Sequence, residues 1–69
     1  QKAPKEALGW YLKAANQGYA DAQYNLALCY RNDFGCSVDL DSSFYWLNKA
    51  ASQGHEDAKQ LLTQMKKIE

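Results

Sequence analysis

The nine residues from Trp10 to Gly18, WYLKAANQG, return as WLNKAASQG from Trp46 to Gly54, with six positions identical and an offset of 36. No other feature constrains the fold as strongly. Further matches appear at the same offset: Asp21 with Asp57, Ala22 with Ala58, Leu26 with Leu62. A period of 20–50 residues marks supersecondary units that cannot bury an apolar face alone and must stack on their neighbours. The chain has 69 residues, and a domain this small buries only about 60% of the surface its unfolded chain exposes. It therefore forms one folded unit at most.

The units read as helices. From Pro4 to Gln17 the apolar residues Ala7, Leu8, Tyr11, Ala14 and Ala15 follow helical spacing. Pro4 suits a first turn, where its missing N–H costs nothing. Gly18 suits the position after the last turn, where a left-handed backbone closes the helix. A second helix is expected over about Ala20 to Arg31, with Ala22, Leu26, Cys29 and Tyr30 inward. The segment 32–38 breaks the pattern, with turn-forming Asn32-Asp33 and a flexible Gly35. Asp39 is placed to cap a third helix, about Leu40 to Gln53, which buries Phe44, Leu47, Ala50 and Ala51. Gly54 stops it as Gly18 stops the first. A fourth helix, about Glu56 to Lys67, carries the stripe Ala58, Leu61, Leu62, Met65 and Ile68. Acids at its start and Lys66 and Lys67 at its end complement the helix dipole. No alternating segment suggests a strand. The expected fold is all-α: four antiparallel helices in helix-turn-helix repeats, stacked as a solenoid. The short connections after Gly18 and Gly54 demand close helix contact, which accounts for the double Ala in both copies. A large residue at Ala14 or Ala50 should overpack.

Several function classes are disfavoured by composition. Eight Lys and Arg balance eight Asp and Glu, so the chain lacks the basic stripe by which a general nucleic-acid binder releases counterions. No run approaches the roughly 18 consecutive apolar residues of a membrane span, and no membrane insertion is expected. The start, Gln1 to Glu6, has no charged stretch leading into an apolar run, so a signal peptide is not expected there. Catalytic groups are sparse. The one His, His55, reads as a solvent-exposed turn residue, and nothing in the spacing pairs it with Cys29 or Cys36 as nucleophile and base. Two Cys and one His fall short of the four ligands of a zinc site, and Gly35 stands alone rather than in a phosphate loop. No cofactor and no metal are expected. Cys29 and Cys36 are open to two readings: small buried hydrophobes, or a disulfide clamping the loop to its helix. Trp10, Tyr30, Phe44 and Trp46 read as inter-helix packing.

The run A-x-x-x-L-A-x-x-Y (Ala22, Leu26, Ala27, Tyr30), followed by Gly35, Asp39 and W-L-N-K-A-A-x-x-G, resembles the Sel-one-like repeat (SLR) family, solenoids related to tetratricopeptide repeats. Departures cluster toward the inner loop. Ala27 and Asp33 stand where the family pattern has Gly, Cys36 where it has Val, and Ser43 where it has a small Ala. Disulfide-rich members place their first Cys in the K-A-A region, where this chain has Ala. The resemblance divides the chain into the second helix of one repeat (4–17), a complete repeat (20–53) and a C-terminal capping helix (56–67), with upstream repeats of the same polypeptide expected. It implies a non-enzymatic scaffold or adaptor that binds a partner protein or peptide on the concave face lined by first helices. By position that face comprises Asp21, Tyr24, Asn25, Leu28, Arg31 and Asn32, with Asp57, Gln60, Gln64 and Lys67 from the last helix. Tyr and Arg are enriched at binding hot spots, and Asn and Gln can bond a peptide backbone. Two other roles fit less well. One is a structural cap with no ligand of its own. The other is a hydrolase of the kind linked to some relatives, for which no Ser-x-x-Lys pair is present.

Overall fold

The computed structural model describes residues 4–33 and 37–67, with the side chains of Pro4 and Lys67 excepted. Its described residues form four helices and no strand: α1 (Pro4–Asn16), α2 (Ala20–Arg31), α3 (Leu40–Ser52) and α4 (Glu56–Lys67). α2 and α4 have the limits expected from the sequence. α1 and α3 each stop one residue early, because Gln17 and Gln53 belong to the turns. The helices zigzag, packing α1 on α2, α2 on α3 and α3 on α4, in a body of 31 × 25 × 19 Å.

The two glycine turns are the same object built twice. After α1, the amides of Gln17 and Tyr19 donate to the Ala14 carbonyl and that of Gly18 to the Ala15 carbonyl. After α3, Gln53 and His55 donate to Ala50, and Gly54 to Ala51. Gly18 and Gly54 have φ of +99° and +92°, which only glycine adopts without cost. The α2–α3 connection is held differently. The Asn32 amide donates to Leu28, Asp33 takes a left-handed φ of 60°, and the Asp39 amide returns to the Tyr30 carbonyl at 2.9 Å. Asp39 then caps α3 as expected. Its Oδ1 accepts from the Ser42 amide at 3.1 Å and its Oδ2 from the Ser42 hydroxyl at 2.9 Å, and these bonds hold the carboxyl below its ordinary pKa.

Two apolar clusters hold the stack together. Ala15, Ala22 and Leu26 join α1 to α2. Ala27, Leu47, Ala50, Ala58, Leu62 and Met65 join α2, α3 and α4. Trp46 packs against both. Burying Leu26 and Leu47 completely is worth about 1.5–3 kcal/mol each. Small residues set the closest approach of α2 to α3: Ala27 and Ser43 are both fully buried, and the Ser43 hydroxyl donates to the Ala27 carbonyl at 2.9 Å. Ser43 thus keeps the size of the Ala it replaces and satisfies its own hydroxyl. A second polar relay, buried at Gln23, runs at the glycine-turn end. Gln53 Nε2 donates to Gln23 Oε1 at 2.9 Å, and Gln23 Nε2 donates to the Ala15 carbonyl at 3.2 Å.

The two alanines of each K-A-A copy have separate duties. Ala15 is buried against α2, while Ala50 is buried against the α2–α4 cluster. The second Ala is the buried one in the first copy, and the first Ala is the buried one in the second. Ala14 therefore lacks the tight surroundings of Ala50 and is only half-buried, which corrects the expectation of overpacking there. Trp10 corrects a second expectation. It is 69% exposed rather than packed between helices. Lys13 Nζ lies 5.8 Å from its ring centroid. Gly35, Cys36 and Ile68 lie outside the described residues, so the disulfide alternative does too; Cys29 is buried.

Candidate protein-binding surface

Asp21, Tyr24, Asn25, Leu28 and Arg31 recur at three- and four-residue spacing, so α2 carries them on one face, opposite Leu26, with Asn32 capping its end. The structure divides this face between two neighbours. Tyr24 leans toward α4, where its ring stacks on His55 with centroids 4.7 Å apart and planes 24° apart. It also packs against the α2–α3–α4 cluster. Asp21 follows it: its Oδ1 lies 2.8 Å from His55 Nε2, with the carboxylate side chain still 92% exposed. Asn25, Leu28 and Asn32 lean the other way and line an open cleft of about 240 Å³ with Tyr11 and Cys29. Arg31 reaches Asn32 Oδ1 at 3.4 Å. On α4, Asp57, Gln60 and Gln64 are exposed. Lys67 ends that helix, and its side chain lies outside the described residues.

His55 is not the solvent-exposed turn residue expected from the sequence. Its side chain is 13% exposed, and it organises the junction of the two first helices. It immediately precedes α4, and its Nδ1 accepts from the Ala58 amide at 3.1 Å, satisfying a helix N–H that has no partner within the helix. An accepting Nδ1 carries no proton, so Nε2 carries it and donates to Asp21. One imidazole therefore caps α4, holds Asp21 and supports the Tyr24 ring. The only trace of this in the sequence is the position of His55 directly after the Gly54 stop and three residues before Ala58.

The Sel1 repeat family model matches residues 1–19 and 20–55. The chain belongs to the Sel1 repeat family. No curated protein and no solved structure matches it. Sel1 repeats are helical solenoid repeats that generally serve protein–protein interaction, and the family is a non-catalytic repeat module. Among the described residues of this Sel1 chain, no three His, Cys, Asp or Glu side chains are grouped to hold a metal ion. No described helix is long and apolar enough to cross a membrane.

Proposed function

We propose that this Sel1 chain is a scaffold or adaptor module that grips a segment of a partner protein across the outward faces of α2 and α4, with Tyr24 and Arg31 as anchors. The observation that carries this reading is the organised first-helix face. An aromatic ring is held in a fixed pose by His55, and beside it stand an exposed carboxylate and a row of amides. Rigid, preplaced side chains lose little entropy on binding, and this favours affinity. The 36-residue offset sets Asp57, Gln60, Gln64 and Lys67 of α4 in register with Asp21, Tyr24, Leu28 and Arg31 of α2, so a bound segment would meet an acid at the start and a base at the end of each helix. On this reading 4–17 is the second helix of one repeat, 20–53 a complete repeat and 56–67 a helix that closes the stack with a polar outer surface. Lys59, Gln60, Thr63, Gln64 and Lys66 are exposed there.

The test is the double variant Tyr24→Ala, Arg31→Ala against a partner isolated with the parent chain. Two hot-spot anchors predict at least about a tenfold loss of affinity. His55→Ala alone serves as the control for loss of the ring's support. A double variant with parental circular dichroism and parental affinity would refute the placement.

A further inference from the structure

His55 is engaged at every atom that can form a hydrogen bond. Its backbone amide donates to the Ala50 carbonyl at 3.3 Å, and its own carbonyl accepts from the Lys59 amide at 3.1 Å. Its ring joins two helices. Nδ1 accepts from the Ala58 amide at 3.1 Å, Nε2 donates to Asp21 Oδ1 at 2.8 Å, and the ring lies stacked on Tyr24. A neutral imidazole has one acceptor and one donor, and both are in use. A second proton has one place to go, Nδ1, which already serves the Ala58 N–H. Two N–H groups cannot bond each other, so a charged ring and the α4 cap exclude one another. The bonds to Ala50 and Lys59 hold the backbone in place, so the ring can respond only by rotating about its side-chain bonds.

We propose that the α2–α4 junction is a proton-operated joint, closed while His55 is neutral and opened by its protonation. Imidazole is the side chain whose ordinary charge change falls between about pH 5 and 8. The groups around this ring pull both ways. From α2, the Asp21 carboxylate and the face of Tyr24 favour a charged ring. From α4, Glu56 and Asp57 stand exposed in the first turn, with Lys59 Nζ 3.6 Å from Glu56. From the last turn of α3, Lys49 holds its ammonium 5.4 Å from the Tyr45 ring centroid. The Ala58 amide bonds Nδ1 and not the carboxylates of its own first turn. The attractions on the α2 side do not protect the cap. Asp21 is a surface group, its side chain 92% exposed, so its pull is screened by solvent and it can follow the ring as it turns. The Ala58 N–H cannot follow, because the helix fixes it. The charged ring therefore keeps Asp21 and leaves Ala58, and a positive charge withdraws from the positive end of α4. Tyr24 loses its support in the same movement. Ala58, Leu62 and Met65 stay in the apolar cluster, so the opening is confined to the first turn of α4 and the ring of Tyr24. The joint belongs to the two helices themselves and stands whether or not Tyr24 anchors a partner.

The test is an NMR titration of the whole chain from pH 8 to 5.5, a range above the ordinary carboxylate values. Imidazole nitrogen shifts report which ring nitrogen carries a proton. Amide exchange, corrected for its intrinsic pH dependence, reports the Ala58 bond, and ring-proton shifts report the Tyr24 stack. At pH 8 Nδ1 should carry no proton and the Ala58 amide should be protected. As the ring takes up its second proton, Ala58 protection should fall at least about tenfold. The Tyr24 signals should move with the same midpoint, while the Leu62 amide keeps its protection. His55→Asn keeps an acceptor without a titrating group and should hold Ala58 and Tyr24 constant across the range. A ring that charges while Ala58 and Tyr24 stay unchanged overturns the proposal, as does a ring still neutral at pH 5.5 or an Nδ1 already protonated at pH 8. Loss of Leu62 protection in step with Ala58, or the same release in His55→Asn, also overturns it.

Discussion

Replacing the first Ala of each K-A-A copy by Leu tests the packing argument with one chemical change at two related sites. Ala50 is fully buried among Ala27, Leu47 and Ala58. Its backbone cannot retreat, because its carbonyl accepts from both Gln53 and His55. Three added carbons must displace α2 or α4, at a cost of about 1–3 kcal/mol. A domain of this size loses about 4–8 °C per kcal/mol, so Ala50→Leu should melt about 4–24 °C below the parent. Ala14 faces an open groove between α1 and α2, and Leu there should stay within about 0.5 kcal/mol of the parent. Ala and Leu both favour helix, so propensity contributes little to the contrast. Thermal unfolding followed by circular dichroism reads both variants. Equal melting temperatures for the two would refute the claim that only the second copy has a helix seated against its first Ala.

Two further perturbations address the caps. His55→Ala removes the bond to the Ala58 amide and the stack on Tyr24, and should lower urea-derived stability by about 1–3 kcal/mol. His55→Asn keeps a capping acceptor and should fall between the two, whereas a parental midpoint for His55→Ala would sink the capping role. Asp39 predicts a pH dependence. The Ser42 amide and hydroxyl lower its folded-state pKa, so its contribution is full above the ordinary aspartate value and fades as pH falls through the lower folded value. The stability advantage of the parent over Asp39→Asn should shrink steadily below that ordinary value, and an advantage that is independent of pH would contradict the assignment.

The helices, the glycine stops and the Asp39 cap were legible because each depends on residues within one turn of the chain. Pro4, Gly18, Gly54 and Asp39 act through local backbone geometry, and the alternation of Ala and Leu at helical spacing states which side turns inward. What the sequence concealed depends on the neighbours of a residue. Trp10 and Trp46 occupy equivalent positions of the repeat, yet only Trp46 has a helix on either side, so the same residue is a surface group in one place and a packing group in the other. His55 was misjudged for a related reason. A lone polar residue after a glycine suggests solvent, and its partners Asp21 and Tyr24 lie more than thirty positions away. The candidate face was legible as a helical stripe, but its division between the His55 side and the Tyr11 side arises from tertiary packing and has no periodicity to announce it.

The order of the helices has a last consequence for how this molecule comes apart. Each helix packs chiefly on those adjacent in the chain, so cooperativity is passed from neighbour to neighbour and opening can begin at an end without dissolving the middle. α2 and α3 are each held on both sides; α1 and α4 are held on one. Amide hydrogens of α1 should therefore exchange through partial opening, while those around Ala27 and Leu47 wait for the whole unit to unfold.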